Sequence, residues 1–183
     1  ADRLAEELEP SHYLDTGYEP LNKIITGDYS RGVPCGRMVE IFGPPSCGKT
    51  AIATSMMSSA INTGGFAMFM DHERSFEIGL ARSLGLDDSQ GRFVRLKPET
   101  FEQSVKVSLH TANKIRDDEL IPPEAPIVVV FDSLAAMVPR SKMEKDADEI
   151  TMADHLALAK CTSQHMPAMA NWAEKLNMAI LWL

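Results

Sequence analysis

The chain has 183 residues, of which 44% are hydrophobic and 24% charged, and its formal net charge is −8. This composition predicts a soluble globular domain with a substantial core. The acidic net charge argues against a uniformly basic surface that coats nucleic acid, but it is compatible with a local basic patch. The apolar runs are strand-sized and the acidic N-terminus lacks an apolar segment, so we expect neither a membrane span nor a secretory signal. The three cysteines show no metal spacing and are expected to be reduced thiols in a cytoplasmic protein.

The N-terminal part of the chain is predicted to be irregular. Residues 1–15 are expected to form a short helix, over 1–8, followed by a linker. Residues 16–36 are rich in Gly and Pro, with room for a short helix at 21–26. The core domain is expected to span 16–183.

Strands and helices alternate in the rest of the chain. Strands are predicted at 38–42, 66–71, 92–96, 127–131 and 178–183, and helices at 49–61, 76–84 and 100–116, the last opened by a capping box at Thr100. A polar stretch at 141–154 predicts a loop, and the helix that resumes at about 153 is expected to break at Pro167. This alternation predicts an α/β fold, a mostly parallel sheet with helices on both faces and ligands at the carboxyl ends of its strands. Because the chain stops in a core strand, we expect it to be a fragment.

The most informative motif lies between the first predicted strand and helix. It fits the phosphate-loop pattern G-x-x-x-x-G-K-[ST], in which small residues let backbone N–H groups surround phosphate oxygens at a helix N-terminus. The lysine of this pattern reaches the β- and γ-phosphates, and the hydroxyl of the last residue binds Mg²⁺. The nucleotide-binding candidates are therefore Gly43, Pro44, Pro45, Ser46, Cys47, Gly48, Lys49 and Thr50.

Carboxylates close two of the other predicted strands, and both should meet the phosphate loop at the same edge of the sheet. Asp132 follows an apolar run, which is the Walker B pattern, and is expected to hold Mg²⁺ directly or through water. Glu73 follows the strand 66–71 and is the candidate base that activates the attacking water, with Asp71 as the second choice.

Each of these carboxylates also has a plainer interpretation. Asp132 followed by Ser133 could cap a helix, and Glu73 could be a surface residue paired with Arg74. For His72 the structural interpretation is preferred, because the sequence supplies no metal partner or nucleophile beside it.

At this point the chain resembles the RecA family of DNA recombinases. The resemblance runs from about Thr16 to Leu183, with motifs in family order, and the differences elsewhere indicate a divergent member, similar to phage recombinases of the UvsX type. The segments that carry it are the Walker A region 36–50, the catalytic segment 71–73, the stretch 81–86 and the Walker B strand with its exit, 132–140.

The resemblance implies roles for individual residues of the nucleotide site. Lys49 and Thr50 would hold phosphate and Mg²⁺, Asp132 would support the metal, and Glu73 would activate water. Glu77 lies where the family has an acidic adenine contact. Leu80 stands where bacterial members stack a tyrosine on the base, so that contact differs here.

The resemblance also implies a DNA-binding surface. The stretch 142–154 corresponds to the family's first DNA-binding loop, with Lys142 and Lys145 in it, although its mixed charge alone would not suggest phosphate binding. Lys160 and Ser163 line up with a basic residue and a serine near DNA. Pro167 replaces a basic DNA-contacting residue of bacterial members, which weakens the DNA site from 165 onward. The second DNA-binding loop of the family would follow Leu183.

We therefore expect an ATP- and Mg²⁺-dependent DNA recombinase that forms a head-to-tail homo-oligomeric filament on single-stranded DNA, for pairing and strand exchange with duplex DNA. The expected setting is the cytoplasm of a bacterium or of a phage-infected host. Two alternatives stay open. One is another ATPase of the same fold, such as a helicase motor or a repair accessory ATPase, and the other is a paralogue that uses nucleotide only as a structural switch.

Overall fold

A computed structural model describes residues 9–144 and 156–183. The predicted helix at 1–8, Lys145 and most of the polar stretch 141–154 lie outside the described residues. The strands are β1 (Tyr13–Leu14), β2 (Val33–Pro34), β3 (Arg37–Glu40), β4 (Phe66–Asp71), β5 (Phe93–Leu96), β6 (Ile127–Asp132) and β7 (Met178–Trp182). The helices are α1 (Glu19–Thr26), α2 (Lys49–Asn62), α3 (Ile78–Ser83), α4 (Phe101–Asp117), α5 (Arg140–Met143) and α6 (Ala157–Lys175), with one 3₁₀ turn at Leu134–Ala136.

The five longer strands form one parallel sheet in the order β3-β7-β6-β4-β5. The interior strands β4 and β6 are almost wholly buried. The parallel α/β prediction is therefore confirmed. Because every strand points the same way, the carboxyl ends of β3, β4 and β6 lie at one edge of the sheet.

Two separate apolar layers cover the two faces of the sheet. Successive side chains of a strand point to opposite faces, and in β6 Val129 and Phe131 pack with α4 and α6, whereas Val128 and Val130 pack with α2 and α3. Helices therefore cover both faces, as predicted. No helix of the described ranges is long and apolar enough to cross a membrane.

Some predicted boundaries are wrong. The strand that leads into the phosphate loop ends at Glu40, and Phe42 lies 86% exposed beyond it. The helix predicted at 76–84 is confined to Ile78–Ser83, because Phe76 turns into the core beside Phe69, with ring centroids 4.2 Å apart. The sequence also gave no indication of β1, which pairs antiparallel with β2.

The break predicted at Pro167 is also wrong, since α6 runs through it without interruption. Proline cannot donate to the carbonyl of Ser163, which costs one helical hydrogen bond. Both residues are on the exposed side of the helix, so water can satisfy that carbonyl. The opposite side buries Cys161, Met169 and Ala173 in the core, and this packing holds the helix together.

Candidate functional site

The phosphate loop connects β3 to α2 and is exposed along its length from Gly43 to Gly48. Gly48 precedes α2 with φ +93°, a conformation that favours glycine. A Cβ added at Gly43 would lie 2.8 Å from the Cys47 sulfur, so a larger residue there would require the Cys47 side chain to move. Lys49 Nζ donates to the carbonyls of Gly43 and Pro44, at 3.0 and 3.1 Å. The loop therefore lies where it was predicted, between β3 and α2, and the Lys49 ammonium bonds to the first two carbonyls of the loop.

A direct contact joins the phosphate loop to β6. The hydroxyl of Thr50, in the first turn of α2, donates to Asp132 Oδ2 at 3.2 Å. The two residues are far apart in the sequence, and the sheet order places β7 between their strands. The structure therefore brings together the two side chains predicted to hold Mg²⁺.

Asp132 is buried, and other carboxylates lie near it. Burial raises the pKa of its carboxyl, the negative charge of Glu73 raises that pKa further, and the hydrogen bond from Thr50 opposes both effects. The adjoining turn at Leu134–Ala136 has no side-chain cap, so the helix-capping interpretation of Asp132 does not apply. A buried carboxylate beside a second carboxylate is an environment that a cation would stabilise.

Glu73 is brought to this site by its backbone. The peptide N–H groups of His72 and Glu73 both donate to the carbonyl of Asp132, at 2.7 and 3.2 Å. The side chain of Glu73 is exposed, and among the described residues Arg74 forms no ion pair with it. The surface-pair interpretation of Glu73 is therefore not what the structure contains.

Asp71, the second candidate base, has a different environment. Its side chain is fully buried and forms an ion pair with Arg95 of the neighbouring strand, with Arg95 Nε 2.9 Å from Oδ2. Its other carboxylate oxygen accepts from the backbone N–H of Ser75 at 3.2 Å. Since both oxygens are occupied, Glu73 is the carboxylate of this segment that is free to meet a water molecule.

The Thr50–Asp132 pair fits a magnesium ion in its nucleotide-bound form. Mg²⁺ commonly takes one or two protein oxygens and fills its remaining positions with phosphate oxygens and water. The described residues contain no cluster of three or more His, Cys, Asp or Glu side chains that would form an all-protein metal site. Thr50 and Asp132 would hold the ion next to the phosphates.

The two residues expected to contact adenine lie on or next to α3. Glu77 immediately precedes this helix with an exposed side chain, and Leu80 within it is 59% exposed. Ala81 on the same helix packs into the core. Both side chains therefore face outward from a helix that is anchored by its other side.

The DNA-binding candidates fall on two helices. Lys142 belongs to the short helix α5, whereas Lys160 and Ser163 are exposed and lie three residues apart on α6, hence on one face of it. The Ser163 hydroxyl donates to the Lys160 carbonyl at 3.2 Å. No hydrogen bond or ion pair among the described residues links these side chains to the phosphate loop.

One contact near these helices was not predicted from the sequence. Glu102 of α4 accepts from the backbone N–H of Arg140 at 2.9 Å and from the thiol of Cys161 at 3.4 Å. It therefore ties together the residues on either side of the stretch 141–160. The capping box at Thr100 predicted where α4 begins. No sequence pattern indicates that Glu102 contacts both Arg140 and Cys161.

Arg95 was likewise missed, although a signal for it exists. It is the only charged residue of the short strand β5, which pairs with β4 so that Arg95 faces Phe69. A lone arginine beside a strand that ends in aspartate could have indicated an ion pair.

Comparisons with known proteins agree with this geometry. A family model described as the RecA N-terminal domain matches residues 13–183. Protein RecA of Citrifermentans bemidjiense is 34% identical over 153 residues, covering 83% of this chain and 41% of that protein. Protein RecA of Geobacter sulfurreducens is 32% identical with the same coverage. Protein RecA of Desulforapulum autotrophicum is 29% identical over 180 residues, covering 98% of this chain and 47% of that protein.

The chain therefore spans less than half the length of these curated relatives. The family model, in contrast, covers nearly all of the described residues, which confirms the resemblance found in the motifs. This chain belongs to the RecA N-terminal domain family.

Proposed function

We propose that this chain is the ATP-binding core of a DNA recombinase. ATP and Mg²⁺ bind at the carboxyl ends of β3 and β6, with the phosphates in the loop 43–50 and the metal on Thr50 and Asp132. The observation that carries this proposal is the 3.2 Å contact between those two side chains, with Glu73 beside them, in a chain of this family.

Glu73 acts in this proposal as the general base for the water that attacks the γ-phosphate. Its carboxylate is exposed next to the metal ligands, whereas Asp71 is occupied by Arg95 and Ser75. A base needs to be close to the phosphate without being bound to the metal. Lys49 leaves the carbonyls of Gly43 and Pro44 to contact the β- and γ-phosphates, where its charge stabilises the developing negative charge.

ATP binding orders a head-to-tail filament on single-stranded DNA, and hydrolysis releases it. Lys142, Lys145, Lys160 and Ser163 are the DNA-binding candidates of this chain, and Glu77 and Leu80 the adenine contacts. Names of relatives, together with the site geometry, support this function. The cytoplasm of a bacterium or of a phage-infected host is the setting we propose.

A strand-pairing assay tests the proposal. The intact protein, ATP, Mg²⁺ and a labelled single strand are incubated with homologous duplex DNA, and joint molecules are measured. We expect joint molecules that require both ATP and homology, and their loss in Lys49→Ala. Translocation along DNA without pairing would instead support a helicase motor, and pairing that needs nucleotide but no phosphate release would support a nucleotide-switched paralogue.

A further inference from the structure

The segment that carries Glu73 is fixed from both sides. On one side, the N–H groups of His72 and Glu73 donate to the carbonyl of Asp132. On the other, the N–H of Ser75 donates to Asp71. Arg74 between them has a φ of +61°, so the chain makes a tight turn there. The Glu73 carboxylate itself accepts no hydrogen bond within the described parts of the chain, so its position depends on the residues beside it.

His72 is the side chain of this turn that reaches into the protein. Its Nε2 lies 2.6 Å from the hydroxyl oxygen of Ser104, which is fully buried on α4. The Ser104 hydroxyl donates to the carbonyl of Thr100 at 3.0 Å. With its hydroxyl proton donated to the Thr100 carbonyl, Ser104 accepts from the Nε2–H tautomer of His72.

Ser104 lies in a buried part of α4. Its neighbours on the same helix, Phe101 and Val105, are buried in the core, and the backbone N–H of Phe101 donates to Val138 at 3.0 Å. The hydrogen bond from His72 to this helix therefore holds the backbone at His72 more precisely than a bond to a loop would.

We propose that His72 is a positioning residue, which holds Glu73 in place for catalysis through its hydrogen bond to Ser104. This inference rests on the function proposed for Glu73 and adds to it a residue to which no motif assigns a role. Misplacement of a catalytic group by about 1 Å can cost on the order of 100-fold in rate. Nucleotide binding through the loop 43–50 does not involve His72, so it should not change.

ATP hydrolysis by the intact protein tests the proposal with four variants. We expect His72→Ala and Ser104→Ala to lower kcat by about 10- to 100-fold, with the dissociation constant for ATP unchanged. His72→Gln, whose amide nitrogen can donate to Ser104, should recover most of the rate. Ser108→Ala is the matched control, since Ser108 is also buried on α4 but its hydroxyl bonds, among the described residues, only to the carbonyl of Val105. It should keep the parental rate.

The decisive measurement combines His72→Ala with Glu73→Gln. Because His72 acts through Glu73, its loss should not slow the Glu73→Gln protein any further. If His72→Ala slowed both backgrounds by the same factor, or if Ser108→Ala were as slow as Ser104→Ala, the effect would be general destabilisation and the proposal would be overturned. If His72→Ala and Ser104→Ala hydrolysed ATP at the parental rate while Glu73→Gln was slow, the positioning role of His72 would be overturned and Glu73 would remain the base. A parental rate in Glu73→Gln would overturn both.

Discussion

Replacing Arg95 with alanine should destabilise the protein strongly, because it leaves a buried charge without its partner. The Asp71 side chain is fully buried, and Arg95, which is 27% exposed, is its only ion-pair partner among the described residues. After the substitution the carboxylate keeps a single hydrogen bond, from the N–H of Ser75. Arg95 also lies over the ring of Phe76, 5.5 Å from its centroid, and that contact is lost as well.

The expected loss in the free energy of unfolding follows from this burial. Removing one partner of a buried ion pair typically costs about 3–5 kcal/mol, and partial exposure of Arg95 places this pair at the lower end, at about 3 kcal/mol. In a domain of this size each kcal/mol shifts Tm by roughly 2–4 °C, so Tm should fall by about 6–12 °C. Urea and thermal unfolding followed by circular dichroism would measure both quantities.

A second Arg–Asp pair of the same chain provides the matched control. Arg82 donates one hydrogen bond to each carboxylate oxygen of Asp88, at 2.9 and 2.8 Å, but this pair lies on the surface. Because water replaces a lost partner there, Arg82→Ala should leave the unfolding curve nearly unchanged. If Arg95→Ala cost no more than Arg82→Ala, the reasoning from burial would be refuted.

Three further predictions concern the nucleotide site. Lys49→Ala should lose ATP binding or turnover, which titration with a fluorescent ATP analogue and phosphate release would measure; unchanged values for both would contradict the role of the lysine. Asp132→Asn should abolish Mg²⁺-dependent turnover yet raise Tm of the metal-free protein, because burial raises the pKa of this carboxyl and its ionised form destabilises the fold. That gain should be largest above the raised pKa and disappear at a pH low enough to protonate Asp132 in both folded and unfolded states; a gain that grows as the pH falls would contradict this. Iodoacetamide should modify the exposed Cys47 first, since burial raises the pKa of Cys35 to about 12 and that of Cys161 to about 11, and ATP with Mg²⁺ should protect Cys47 in a peptide-mapping experiment.

Local patterns in the sequence were sufficient to predict the frame of the site. The apolar runs at 66–71 and 127–131 are strands buried on both faces, and residues 43–48 form the loop between β3 and α2. Such features depend on neighbouring residues alone, so they are readable without a structure.

Features that depend on distant partners were not predicted. The helix α6 passes through Pro167 because core packing on its other side offsets one lost hydrogen bond. The occupation of Asp71 by Arg95 and the bond from His72 to Ser104 each join residues more than twenty positions apart. Sheet order and helix placement create these contacts. The lone arginine of β5 is a sequence signal for the first contact, whereas no local pattern marks the second.

Hydrolysis by Glu73→Gln is the most direct test of the account. ATP affinity and phosphate release would be measured for this variant and the parent, in the intact protein with single-stranded DNA and Mg²⁺. Since a positioned general base contributes about 10²–10⁴-fold to a rate, we expect turnover to fall by at least about 100-fold while ATP affinity stays at the parental value. Turnover at the parental rate would contradict the assignment of Glu73 as the base.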